Sequence, residues 1–110
     1  MRHILARLTT LALLLGLSAS CLAADNTLTD EEQRDGWQLL FNGEDMSQWR
    51  NFKKQDLDDK WVVENGVMTL TGRGGGDILT RRSYTNFDLR LEWKISEGGN
   101  SGIFILVDEK

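Results

Sequence analysis

The clearest alternation along the chain lies at residues 87–95. Leu89, Leu91, Trp93 and Ile95 share one face, and Asp88, Arg90, Glu92 and Lys94 share the other, the period-two pattern of a half-buried strand. Residues 103–107, Ile-Phe-Ile-Leu-Val, are apolar on both faces, as in a central strand covered by two layers. Upstream, Val62-Val63-Glu64-Asn65-Gly66-Val67-Met68 places Asn-Gly between apolar runs, which predicts a two-residue hairpin whose second strand reaches Leu70. Short strands are also expected at 37–41, before the Asn42-Gly43 turn, and at 78–80, after the glycine-rich stretch 72–77. One helix signal stands out. Thr29 with Glu32 makes a capping box, and Asp30, Glu31 and Glu32 suit the positive helix end, so one or two turns are expected over 30–35, stopped by Gly36.

Six or seven short strands, turns between them and one trivial helix describe an antiparallel all-β fold, a sandwich or jelly roll. After the central-looking strand at 103–107, few candidates remain to pair with it or to form a second sheet. Residues 37–110 are therefore read as the N-terminal part of a larger jelly-roll domain, preceded by a polar lead with its short helix at 25–36.

Residues 1–24 have a different character. Arg2 and Arg7 supply a positive end, residues 8–17 an apolar run, and small residues lead to Ala23-Ala24, which is the plan of a secretory signal peptide. The apolar run is shorter than the about 20 residues a membrane span needs. Export to the periplasm or cell surface is expected. Ser18-Ala19-Ser20-Cys21 offers a weaker alternative, a lipoprotein anchor through Cys21, although Ser18 stands where such signals prefer Leu.

Cleavage changes the composition. The chain has 110 residues with 13 basic and 17 acidic groups, one His and one Cys; without residues 1–24 it has 86, with 11 basic groups, 17 acidic groups and a formal charge of −6. Such a surface repels phosphate backbones, so nucleic acid is not an expected partner. His3 and Cys21 leave with the leader. The remainder holds no Ser-His-Asp triad, thiol nucleophile, disulfide or Cys/His zinc site, so its chemistry falls to carboxylates, Lys, Arg, Tyr, amides and hydroxyls. No cofactor is evident, and the pattern carries no signal of oligomeric state.

Several residues could carry function, each with a plainer alternative. Gly72-Arg73-Gly74-Gly75-Gly76-Asp77 invites a phosphate-loop reading, but a strand-like run follows where that motif needs a helix; a loop bordering a cleft fits better. Four Trp, at 37, 49, 61 and 93, could stack on sugar rings. Trp37 and Trp93 fit a core better, and Trp49, beside Arg50 and Asn51, is the better candidate for an exposed ring. Arg90, Glu92 and Lys94, about 7 Å apart in succession along a strand face, could floor a polar cleft with Glu92 as general acid or base, or form a solvated charged face. Asn100-Ser101 could bond sugar hydroxyls or simply occupy a turn.

The ordered series Leu28-Thr29-Asp30-Glu31-Glu32, Gly36 through Gly43, Trp49, Trp61 through Val67, Gly75 through Thr80, Phe87 through Ile95 and Gly98 through Phe104 resembles the 3-keto-disaccharide hydrolase domain family of secreted bacterial proteins. The resemblance covers about residues 28–107. It implies a concanavalin-like jelly roll with a concave sugar face, and action on 3-keto-glycosides by hydrolysis or by elimination followed by hydration. It makes Glu92 the base or a metal-holding carboxylate, Asn100 and Ser101 sugar-hydroxyl contacts, and Asp77 and Arg90 secondary contacts, with a divalent cation conceivable in the complete domain. The chain departs from the pattern at Leu106, where an Arg or His is expected. A non-catalytic carbohydrate-binding module is the competing reading, and a purely structural or interaction role is a third.

Overall fold

The computed structural model describes residues 25–110. The leader assigned to 1–24 and the anchor at Cys21 lie outside the described residues. Among the described residues no helix is long and apolar enough to cross a membrane. The described residues divide into two compact units, 25–46 with Val62–Thr69, and Ser47–Trp61 with Leu70–Lys110.

The first unit contains the helix α1 (Asp30–Arg34). Both halves of the capping box form: Glu32 N–H donates to Thr29 Oγ1 at 3.1 Å, and Thr29 N–H donates to Glu32 Oε2 at 2.9 Å. These bonds satisfy donors that a helix start otherwise leaves unpaired. The helix ends at Asp35, and Gly36 follows at φ +88°, a conformation that favours glycine. Asn42 Oδ1 then accepts from the N–H groups of Glu44 and Asp45 at 2.8 and 3.0 Å, closing the turn expected at Asn42-Gly43. The strand expected at 37–41 does not form.

The hairpin forms where Asn-Gly predicts it. Strands β2 (Trp61–Glu64) and β3 (Val67–Leu70) pair in a two-stranded sheet, joined by Asn65 at φ 50° and Gly66 at φ 74°. Two successive positive φ values match the twist of a two-residue hairpin turn. Within the first unit, Asn26 Nδ2 donates to Gly66 O at 2.8 Å, which holds the turn by a contact 40 residues distant in sequence.

In the second unit, β1 (Trp49–Asn51) pairs antiparallel with β4 (Ile78–Thr80). Trp49 faces Thr80, Arg50 faces Leu79 and Asn51 faces Ile78. The strand at 78–80 is as expected. Its partner is not foreseen by the pattern, because Trp-Arg-Asn shows no alternation of apolar and polar residues. The described residues are therefore antiparallel all-β apart from one five-residue helix, consistent with part of a jelly roll.

The two strands expected at 87–95 and 103–107 are absent; these residues are irregular and exposed. An alternating sequence specifies which face is to be buried, but a strand needs a neighbour to take its backbone N–H and C=O groups. Among the described residues no ladder reaches these segments. Trp93, expected in a core, is accordingly 63% exposed, and Phe104 is 77% exposed. Trp37 is half-buried. No large apolar side chain among the described residues is fully buried; the residue with a buried side chain is polar, Asn51, at 3% exposure.

Candidate functional site

The best-ordered polar assembly is built on Asn51, the last residue of β1. Its Nδ2 donates to Gly75 O at 2.6 Å and Asp77 O at 3.2 Å, and its Oδ1 accepts from Asp58 N–H at 2.5 Å. Its backbone N–H donates to Asp56 O, and its carbonyl accepts from Lys54 N–H, both at 3.1 Å. A buried amide with every side-chain group engaged is inexpensive to bury and strongly directional. Here it fixes the 52–58 turn on one side and the glycine-rich loop on the other.

That loop is pinned at three successive carbonyls. Gly75 O accepts from Asn51, Gly76 O accepts from Trp61 Nε1 at 3.0 Å, and Asp77 O accepts from Asn51 Nδ2 and from Phe52 N–H at 2.9 Å. Trp61 thus uses its indole N–H to hold backbone. Gly76 sits at φ +71°, and a Cβ there would lie 3.0 Å from Asn51 Nδ2. A β strand follows the loop, and carbonyls rather than N–H groups are what the pinning engages, which disfavours a phosphate cradle on chemical grounds.

A second assembly lies beside the first. Glu109 accepts from Arg50 Nη1 at 3.0 Å and from Arg50 Nη2, and its Oε2 also accepts from Lys53 N–H at 2.6 Å. The fork-to-fork pairing joins residues 59 apart in sequence. The Arg50 hydrogen bonds, followed by the Lys53 backbone bond, hold the Glu109 carboxyl at about 2, well below its ordinary range; the same pairing raises the Arg50 guanidinium. Asp58 is also lowered, chiefly by the hydrogen bond that Lys60 N–H donates to it at 3.0 Å.

The residues singled out in the sequence fall in two places. Trp49 opens β1 and is half-buried, and Asp77 immediately precedes β4 with its backbone held as above, so these two belong to one ribbon. Arg90 and Glu92 lie in the irregular segment before the Glu97-Gly98 turn, and Asn100 and Ser101 follow that turn; all four are exposed. Among the described residues no hydrogen bond or ion pair involves Glu92, Asn100 or Ser101. Among the described residues no group of three His, Cys, Asp or Glu side chains converges as a metal site would need.

Asn51, Glu109 and the pair Arg81-Arg82 were not picked out as functional by pattern. An Asn inside a strand is a residue type depleted there, and tandem Arg beside an aromatic ring is a recognisable charge cluster; both are weak signals. Glu109 offers none.

Comparison with known proteins follows from this geometry. Residues 36–110 match the family described as "3-keto-alpha-glucoside-1,2-lyase-like domain". A protein of Bacteroides thetaiotaomicron named 3-keto-disaccharide hydrolase is 39% identical over 83 residues, covering 68% of this chain. The match spans 29% of that relative's length.

Proposed function

The chain belongs to the 3-keto-alpha-glucoside-1,2-lyase-like domain family, and from this membership we propose that it is part of an exported enzyme cleaving 3-keto-glycosides such as 3-keto-disaccharides. The observation that carries the reading is the match over residues 36–110, which includes Glu92, Asn100 and Ser101. The relative named 3-keto-disaccharide hydrolase supports the substrate class.

The chemistry needs little machinery. A ketone at C3 acidifies the proton on C2, so a carboxylate at Glu92 can take it while hydrogen-bond donors hold the enolate oxygen. The electron pair then expels the C1 oxygen, which leaves as an alcohol with the proton restored, and a C1–C2 double bond remains. Water adds across that bond, its hydroxyl to C1 and its proton to C2, and the net reaction is hydrolysis. The paired carboxylates of ordinary glycosidases are not required. Asn100 and Ser101 supply amide and hydroxyl groups for the sugar, and Asp77, Arg90 and Trp49 are further contacts.

Export rests on Arg2, Arg7 and the apolar run at 8–17, with delivery to the periplasm or cell surface; Cys21 supplies the alternative lipid anchor.

A second reading, a non-catalytic sugar-binding module, draws on the exposed rings of Trp93 and Phe104 and on Leu106, which is 95% exposed at the position where a cation is expected. One experiment separates the two. The full-length protein is incubated with a 3-keto-disaccharide while enone absorbance and released monosaccharide are followed. Turnover that Glu92→Gln abolishes supports the enzyme. Retardation on a polysaccharide gel without any product supports the module and overturns the enzyme, and full activity in Glu92→Gln removes Glu92 from the reaction.

A further inference from the structure

The stretch following β4 contains two adjacent arginines and a tyrosine that the reaction above does not use. In the second unit, Ser47, Gln48, Arg81, Arg82 and Tyr84 line a depression of about 230 Å³. Arg81 is anchored twice: its backbone N–H donates to Gln48 O at 2.8 Å and its Nε donates to Ser47 O at 3.0 Å. Its two terminal nitrogens have no hydrogen-bond partner among the described residues. Arg82 is held differently. Its guanidinium carbon lies 5.6 Å from the centroid of the Tyr84 ring, a cation–π separation, while Thr80 Oγ1 donates to its carbonyl at 2.8 Å. None of its guanidinium N–H groups donates to a described residue.

The ion pairs among the described residues are Arg50–Glu109 and Lys60–Asp58. Arg81 and Arg82 therefore line one depression with two guanidinium groups that have no carboxylate at pairing distance among the described residues, on a chain whose net charge is negative. Two cations lining one depression make its potential positive, and an oxyanion bound there is attracted by both. Terminal guanidinium nitrogens left unpaired present the planar fork that matches carboxylate and sulfate oxygens. The volume sets the scale. At ~30 Å³ per water it corresponds to about eight waters, below the ~300 Å³ at which whole small-molecule pockets begin. It accommodates one charged ring or substituent rather than a disaccharide.

We propose that Arg81, Arg82 and Tyr84 form a subsite for a sugar carrying an oxyanion, either a carboxylate or a sulfate ester, with the two guanidiniums reading the charge. The sugar half of this statement rests on the carbohydrate reading above; the oxyanion half stands on the geometry alone.

The test is a binding titration of the whole protein, followed by NMR at the arginine Nε–H and Tyr84 ring signals, with glucuronate, glucose 6-sulfate, glucose and acetate as separate probes. The readout needs no turnover, so its result is independent of the Glu92→Gln assay. At least one charged sugar is expected to bind about tenfold or more tightly than glucose, and to weaken as salt is raised, since exposed charges are screened. The stronger of the two charged sugars identifies the group. Arg82→Ala is expected to remove that preference without altering the amide shifts of β1 and β4, and Arg82→Lys, which keeps the charge but not the fork, to restore only part of it. Equal binding of glucose and both charged sugars overturns the proposal, as does an undiminished preference in Arg82→Ala. Acetate binding as tightly as glucuronate overturns the sugar half and reduces the site to one for a bare anion.

Discussion

Replacing Asn51 by Ala removes three hydrogen bonds at a position that is 3% exposed. The loss is unevenly shared. Asp77 O retains the N–H of Phe52, whereas Gly75 O and Asp58 N–H lose the only partners the structure gives them. A buried polar group without a partner costs about 1–3 kcal/mol. Gly75 is buried and Asp58 half-buried, so the carbonyl falls high in that range and the amide low, because water reaches the latter. The expected destabilisation is about 2–4 kcal/mol, large against the ~5–15 kcal/mol of an ordinary domain. It is read in the urea midpoint and, locally, in hydrogen exchange at the Asp58 amide. A loss of about 2 kcal/mol there corresponds to exchange about 30-fold faster, since each 1.4 kcal/mol is a factor of ten. Asn51→Asp sharpens the test. The shape is kept and one oxygen still accepts from Asp58, but the other now meets the carbonyls of Gly75 and Asp77, which favours the protonated acid and raises its folded pKa above the ~3.9 of the unfolded chain. A raised folded pKa means that the folded state holds its proton more tightly. The variant's deficit relative to wild type is therefore full above the folded pKa and shrinks as pH falls through it toward ~3.9. A deficit below about 1 kcal/mol in Asn51→Ala, where an orphaned buried group should cost more, refutes the argument. So does a deficit in Asn51→Asp that is unchanged between about pH 7 and pH 4, the interval in which that carboxyl must titrate.

Two further predictions concern neighbouring contacts. The Glu109 carboxyl, held at about 2 against an ordinary 4.5, contributes stability that is full above 4.5 and lost as pH falls through about 2; an NMR titration of its carboxyl carbon should show the low midpoint, Glu109→Gln should remove that part of the acid sensitivity, and a midpoint at the ordinary value would show that the Arg50 and Lys53 bonds do not persist in solution. Gly76→Ala places a Cβ 3.0 Å from Asn51 Nδ2 at φ +71°, and the left-handed conformation alone costs a residue with a side chain roughly 1–2 kcal/mol; a urea midpoint equal to wild type would mean that the loop does not need that conformation.

What the sequence made legible follows the distance over which each interaction acts. The capping box at Thr29 and Glu32 spans three residues, and the Asn65-Gly66 turn needs only two residues at positive φ. Both could be read because local chemistry determines them. The pairing of β1 with β4 brings Trp49 opposite Thr80, and nothing in Trp-Arg-Asn announces a partner 27 to 31 residues away. Asn51 is harder still, since its side-chain partners at Gly75 and Asp77 lie 24 and 26 residues downstream, and an amide's usefulness depends wholly on who faces it. The segments 87–95 and 103–107 fail in the opposite sense. The alternation of 87–95 is the clearest in the chain and 103–107 is apolar on both faces, yet such patterns encode a preference for cover and cannot supply it. The same distinction bears on Glu92. Its place on the polar side of an alternating run is a statement about register, so its chemistry becomes defined only when a neighbouring strand fixes which groups share that face. The resemblance of the sequence suggests the residues to test, whereas the Asn51 assembly shows where hydrogen bonds already hold backbone in this chain. Asp77 is the one candidate that belongs to both. Its backbone is fixed by Asn51 and Phe52, and Trp49 lies on the strand paired with the one that follows it, so a bound sugar would find these two candidate positions already prepared by the ribbon present in this structure.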